Sequence, residues 1–359
     1  MKRMGHATRS RWSYRGMAMA VAVPWALAGG AAHAQDMPPL FAADDPIEIT
    51  LLADFLQLER DRGEDPPERH AQVILTDRDG PVQAFDAQLR TRGNFRRSRA
   101  NCLFPPLRLN LPRSAVEGSV FDGQDKLKIV GSCRPGRESY SILVLREYLA
   151  YRILRLVTDR AFAVRLARIT YRDTSGELDT WTDWGFLIED DDALAARLGG
   201  AAFDLEGDEN LPARVFDPVS AARVAVFEYL IGNTDWSEVQ GHNVQIIESP
   251  IGAVAVPFDF DFSGLVDAPY ASPDPEIGIR SVRERRYLGW CRPPGVAEAI
   301  VAEFRAAREA TMALIDAFEP LDEGEREGLR DYLLPFYEQI ETDGAARAAF
   351  LDLCKRLRD

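Results

Sequence analysis

The sequence is poor in several residue types, and each shortage excludes something. Of its 43 basic residues only Lys2, Lys126, Lys128 and Lys355 are lysines, arginine holding nearly every other basic position. Histidine is scarce: beyond residue 34 only His70 and His242 remain, and no C-x-x-C pair occurs. Together these exclude the common Cys/His zinc sites. Positive charge is short overall, with 57 acidic residues giving a formal net charge of −14. Such a chain is a poor partner for nucleic acid, where binding rests on Lys and Arg neutralising phosphates. The plain meaning of the charge is solubility. No stretch beyond residue 34 is apolar enough to cross a membrane, and there is no internal repeat or low-complexity linker.

What is present begins with residues 1–34. They carry Lys2, Arg3, Arg9, Arg11 and Arg15 without an acid, then an apolar run from Met17 to Leu27, then Ala32-His33-Ala34. A basic start, a short apolar core and an A-x-A ending predict a secretory signal peptide. Its removal takes five positive charges, moving the net charge from −14 to −19. The mature protein is then exported, periplasmic or extracellular. All four cysteines lie in the mature part, and an even number in an exported protein predicts two disulfides. Three pairings are open; Cys102–Cys133 with Cys291–Cys354 is preferred, each pair lying within one half of the chain.

Period-two alternation predicts strands at Ile47–Leu52, Ala71–Thr76, Val82–Arg92, Leu107–Leu111, Val164–Tyr171 and Trp184–Ile188, with a turn at Asp79-Gly80. A helix interrupts them at Ile142–Val157, and Lys126 and Lys128 share a short strand. After an acidic, loop-like stretch from Asp190 to Gly207, helices are predicted at Ser220–Ile231, Val296–Phe318, Glu323–Thr342 and Ala345–Leu357. Strands with one helix first and helices afterwards make an α+β arrangement.

The most informative segment runs from Gly232-Asn233-Thr234-Asp235 through Gly241-His242-Asn243 to Phe258-Asp259-Phe260-Asp261-Phe262. Read as a strand, Phe258–Phe262 would put Asp259 and Asp261 on one face and three Phe rings on the other. Two adjacent carboxylates repel each other, so that face calls for a cation. A hairpin through Ser249-Pro250-Ile251-Gly252 would set Glu248 opposite Ala253 and Asn243 opposite Phe258. An amide oxygen and two carboxylates suit magnesium, which keeps waters and takes its other ligands from nucleotide phosphates. Asp235, in the loop after Ile231, is placed to accept a proton from an attacking hydroxyl. Lys126 and Lys128 face the same side of their strand, as compact charges suited to phosphate, and Glu147 in the following helix is a partner for either.

This order of residues resembles the CotH kinases, and its catalytic half also resembles the HipA-type kinases. The likeness rests on Arg92-Gly93-Asn94, the strand ending in Lys128, the helix with Glu147, Gly185-Phe186-Leu187-Ile188-Glu189, Asn233-Thr234-Asp235, Asn243 and Asp259-Phe260-Asp261. It implies a protein-kinase-like two-lobe fold: an N-terminal antiparallel sheet lobe with one helix (35–188) and a mostly helical C-terminal lobe (189–359). It implies ATP and Mg2+ or Mn2+ as cofactors and phosphate transfer to a protein acceptor. Asp235 would be the catalytic base, and Asn243 with Asp259 or Asp261 the metal ligands. Lys128 or Lys126 would touch phosphate with Glu147 as partner, Ile188 and Glu189 would form the adenine hinge, and Arg92 would approach the nucleotide from above.

The chain also departs from kinase patterns. There is no G-x-G-x-x-G loop, so phosphate cover falls to Arg92-Gly93-Asn94, and His242 stands before Asn243. The basic run Arg280–Arg286 reads either as a phosphate clamp or as salt bridges to acidic helices, and Asp190, Asp191 and Asp192 as a solvated loop or a structural calcium site. His70 reads as a surface residue and His242 as a hydrogen-bond partner of its loop. The competing functions are an exported pseudokinase and a metal-binding envelope scaffold, both without catalysis.

Overall fold

In a computed structural model, residues 37–76, 82–205 and 209–356 are described. The expected signal peptide at 1–34 and the expected turn at Asp79-Gly80 lie outside the described residues. The described residues from Pro38 onward form one compact unit.

Alternation builds the strands. In β1 (Ile47–Ala53) Ile47, Ile49, Leu51 and Ala53 are buried while Glu48 is exposed. The short helix α1 (Phe55–Arg60) follows, its first turn capped by Asp54. Then come β2 (Arg69–Thr76), β3 (Gln83–Thr91), β4 (Leu107–Asn110) and β5 (Lys126–Val130), each antiparallel to the one before. In β5 Leu127 and Ile129 are buried and both lysines sit on the opposite face, as their spacing requires. The long helix α2 (Glu138–Val157) leads to β6 (Val164–Asp173) and β7 (Trp181–Ile188).

The expected two-lobe kinase-like fold with an N-terminal antiparallel sheet lobe is not what forms. The seven strands close into a mixed barrel in the order β1-β2-β3-β4-β5-β7-β6. β5 pairs with β7 (Lys128↔Ile188), and β6 returns beside β7 and runs parallel to β1 from Ile47↔Ala167 to Ala53↔Asp173. That parallel pairing removes both free edges of the sheet. Local alternation marks where strands occur but not which distant strand covers an edge, so the sequence pattern could not show closure.

Beyond the barrel come α3 (Asp191–Arg197), β8 (Ala201–Phe203), α4 (Pro218–Ile231), β9 (Val244–Ser249) and β10 (Gly252–Pro257). The last two form the expected hairpin with Glu248 opposite Ala253, and β8 adds to β9. α4 starts with an Asp217 cap and Pro218 in its first turn, and ends at Gly232 in left-handed conformation. A Cβ there would meet the Tyr332 hydroxyl at 2.0 Å, so only glycine fits. The expected single helix over Val296–Phe318 is two, α5 (Val296–Ala306) and α6 (Arg308–Asp316), followed by α7 (Glu323–Gln339) and α8 (Asp343–Ala349). α4 is buried almost all round, with Val226, Phe227 and Leu230 inaccessible. Among the described residues no helix is long and apolar enough to cross a membrane.

Both preferred disulfides are present: Cys102–Cys133, Cα atoms 5.0 Å apart, and Cys291–Cys354, 4.9 Å apart. The second spans 63 residues of sequence. Chain entropy assigns a loop of that length a stabilisation of about 4 kcal/mol. The double variant Cys291→Ser/Cys354→Ser should therefore unfold at clearly lower urea than the parent, and an unchanged midpoint would show that the bridge contributes nothing.

Candidate active site

The loop after α4 is built around Asp235. Its N–H donates to Asn233 Oδ1 at 3.0 Å, fixing the turn. Its carboxylate receives two side chains: His242 Nε2 lies 2.9 Å from Oδ1, and Asn243 Nδ2 donates to Oδ2 at 3.1 Å and to the Asp235 carbonyl at 2.7 Å. The hydrogen bond to Asp235 raises the His242 pKa above the usual imidazole value. His242 is thus a partner of its loop, as expected, and His70 is exposed on β2. The carboxylate keeps 40% of its side chain exposed, within reach of a substrate. Beneath the loop lies Glu228, fully buried, whose carboxyl oxygens lack a hydrogen-bond partner of good geometry. Burial holds its pKa well above the ordinary carboxyl value.

The hairpin then leads the chain to the second acidic segment. Phe258 N–H donates to the Asn243 carbonyl at 3.0 Å, so these two residues face each other as expected. The expected strand from Phe258 to Phe262 does not form. β10 stops at Pro257, and Asp259 turns into the left-handed region (φ +62°), its N–H donating to Tyr151 Oη at 2.9 Å. The three rings consequently diverge. Phe260 is inaccessible between Tyr151 and Phe227, Phe258 packs on Phe162, and Phe262 meets Phe95 and Tyr270.

Asp259 and Asp261 still converge, through a cation that sequence reasoning passed over. Arg96, 8% exposed, sets Nη2 2.8 Å from Asp259 Oδ1, Nε 3.3 Å from Asp261 Oδ2 and Nη1 3.6 Å from Glu147 Oε2. Tyr270 donates its hydroxyl to Asp261 Oδ2 at 3.0 Å. The available signal was an arginine two residues beyond Arg92-Gly93-Asn94, in a sequence otherwise rich in arginine.

The expected ion pair between Glu147 and a lysine is replaced. Arg96 takes Glu147, and Lys128 Nζ bonds Asp191 Oδ1 at 2.5 Å while lying over the rings of Phe162 and Phe258 at 5.0 and 5.1 Å. Burial pulls the Lys128 pKa down despite that partner. The acidic run holds no cage for calcium. Asp190 caps α3, Asp191 serves Lys128, and the stretch expected to be loop is partly helix. Lys126 lies on the same face of β5, its charge acting on Asp190.

Arg92, Lys128, Glu147, Tyr151, Ile188 and Asp259 line one crevice too tight to admit a water molecule. Burial lowers the Arg92 pKa, with Asp259 opposing. Small-molecule sites are open cavities of several hundred Å3, so a nucleoside triphosphate would need these side chains to move apart. Glu189 does not fit the hinge expectation. Its N–H donates to the Ala163 carbonyl at 3.0 Å and its carboxylate is held by Arg197, while Ile188 is paired on both sides within the barrel. The basic run lies elsewhere too: Arg283 pairs with Asp267 at 3.2 Å, and Arg285 donates to the carbonyls of Leu230 and Tyr332.

Among the described residues no group of three or more His, Cys, Asp or Glu is arranged to hold a metal by itself. The donors present are sparser: Asp259, Asp261 and the Asn243 amide. The second Glu147 oxygen is buried without a hydrogen-bond partner. That set suits an ion completing its shell with water and phosphate and does not suit an all-protein cage. Comparison with known proteins assigns no relationship: no family model matches the chain, and no curated protein matches it.

The acid cluster has a consequence for stability. Burial pushes Glu147 up to about 8 and Asp261 up to about 6, Arg96 opposing in both cases. Carboxyls more easily neutral folded than unfolded stabilise fully below about pH 4, and that contribution disappears as pH rises through 6 and then 8. With chelator present, the urea midpoint should fall across this window. Glu147→Gln should flatten the fall between 6 and 8, and parallel curves would refute the assignment.

Proposed function

We propose that the chain is an exported ATP-dependent phosphotransferase of CotH-like type, acting on a protein acceptor with Mg2+ or Mn2+. One observation carries this reading: Asp235 is hydrogen-bonded to Asn243, whose carbonyl accepts the N–H of Phe258, and the next residue, Asp259, borders a tight crevice lined by Arg92 and Lys128. Base, amide and carboxylate in sequence before a cationic pocket is the arrangement phosphoryl transfer uses.

The roles follow from the chemistry of each group. Arg92 and Lys128 bring positive charge to phosphate oxygens, Lys128 exchanging Asp191 for them. Asn243 and Asp259, with Asp261 behind, would hold the metal, which when bound neutralises phosphate charge. Asp235 accepts the proton of the acceptor hydroxyl. Below the raised pKa of His242 the imidazolium competes for that carboxylate, so the reaction should slow towards acid pH. The tight crevice and the occupation of the carboxylates by Arg96 favour a second reading, an exported binding protein that keeps this site without catalysis.

Transfer of labelled phosphate from ATP, with Mn2+ and a generic protein acceptor, separates the two. Asp235→Ala should lose transfer by about 100-fold or more while the thermal shift given by ATP with Mn2+ survives. Asp259→Ala should lose that shift. A wild-type protein that shifts but never transfers phosphate leaves the binding reading, and one that does not shift at all ends both.

A further inference from the structure

Arg96 occupies a position the proposed chemistry assigns to a metal. It stands on a loop between β3 and β4 whose base is clamped twice, by the Cys102–Cys133 bridge and by Arg62. The Arg62 guanidinium donates to the carbonyls of Arg97 at 2.8 Å, Cys102 at 3.0 Å and Leu103 at 2.6 Å. The clamp delivers one buried guanidinium to Asp259, Asp261 and Glu147, and it leaves Glu147 Oε1 without a partner.

A divalent ion on Asp259 and Asp261 would compete for the same oxygens and repel the guanidinium a few ångströms away. Arg96 released from them carries a planar fork suited to phosphate.

From this geometry we infer that Arg96 is a resident counter-ion that couples metal binding to nucleotide binding. It balances the carboxylates while the cleft is empty, resists metal arriving alone, and yields when phosphates accompany the metal and offer it a new partner. The inference rests on the cleft being a metal–nucleotide site. Coupling of this kind is reciprocal, so nucleotide tightens metal binding by the same factor that metal tightens nucleotide binding.

Calorimetric titration tests it with Mn2+ alone, a non-hydrolysable ATP analogue alone, and each in the presence of the other. Wild-type protein should bind Mn2+ weakly by itself and about 10-fold or more tightly with the analogue. Arg96→Met should bind Mn2+ alone more tightly than wild type and lose the coupling. Arg96→Lys keeps the charge without the fork, so it should bind Mn2+ alone as weakly as wild type and lose most of the coupling.

Arg96→Met with unchanged Mn2+ affinity and intact coupling would overturn the inference while leaving the phosphotransferase reading standing. Wild-type protein that binds neither Mn2+ nor the analogue overturns both. Should Arg96→Met not fold, hydrogen exchange on wild-type protein decides the matter. Exchange of residues 92–102 should change when Mn2+ and the analogue are added together but not with Mn2+ alone, and unchanged exchange there would overturn the release of Arg96.

Discussion

Bringing three acidic side chains together, Glu147 and Asp261 buried and Asp259 partly exposed, is costly unless a cation joins them, and a single guanidinium does so here. Arg96 comes from a barrel loop, Glu147 from α2, and Asp259 and Asp261 from the segment after β10. One side chain therefore holds three separate parts of the molecule at a common point. The left-handed turn at Asp259 and its hydrogen bond to Tyr151 bring both aspartates to the same guanidinium, although no strand continues through them.

Closure of the barrel sets the rest of the site. Because β5 is covered by β7, Lys128 lies beside Ile188 and meets the start of α3 just after that strand ends. Its partner is accordingly Asp191 and not Glu147. The same closure places Ile188 between β5 and β6 and turns Glu189 inward to Arg197.

Much of this was legible in the sequence because it depends on short-range geometry. The hairpin of β9 and β10 and its register follow from turn residues between two apolar runs. The shared face of Lys126 and Lys128 follows from a spacing of two. The close approach of Asp235 to Asn243 was half legible: the loop was visible, but the hydrogen bonds that join them depend on how it folds back. Splitting of the expected helix at Ala307 and the short helix at Asp191 were not legible, since periodicity does not mark where packing interrupts or starts a helix.

By itself the sequence determined most of the barrel strands and the long helices in outline, the even set of cysteines, and the acids and bases available for chemistry. These are properties of neighbouring residues, decided by period, turn chemistry and side-chain type. Only the tertiary structure decided that β6 lies parallel to β1, that Asp259 leaves the strand, and that Arg96 balances three acids. Each of those choices minimises unpaired backbone edges or uncompensated buried charge over the whole molecule, a balance that no local stretch of sequence contains.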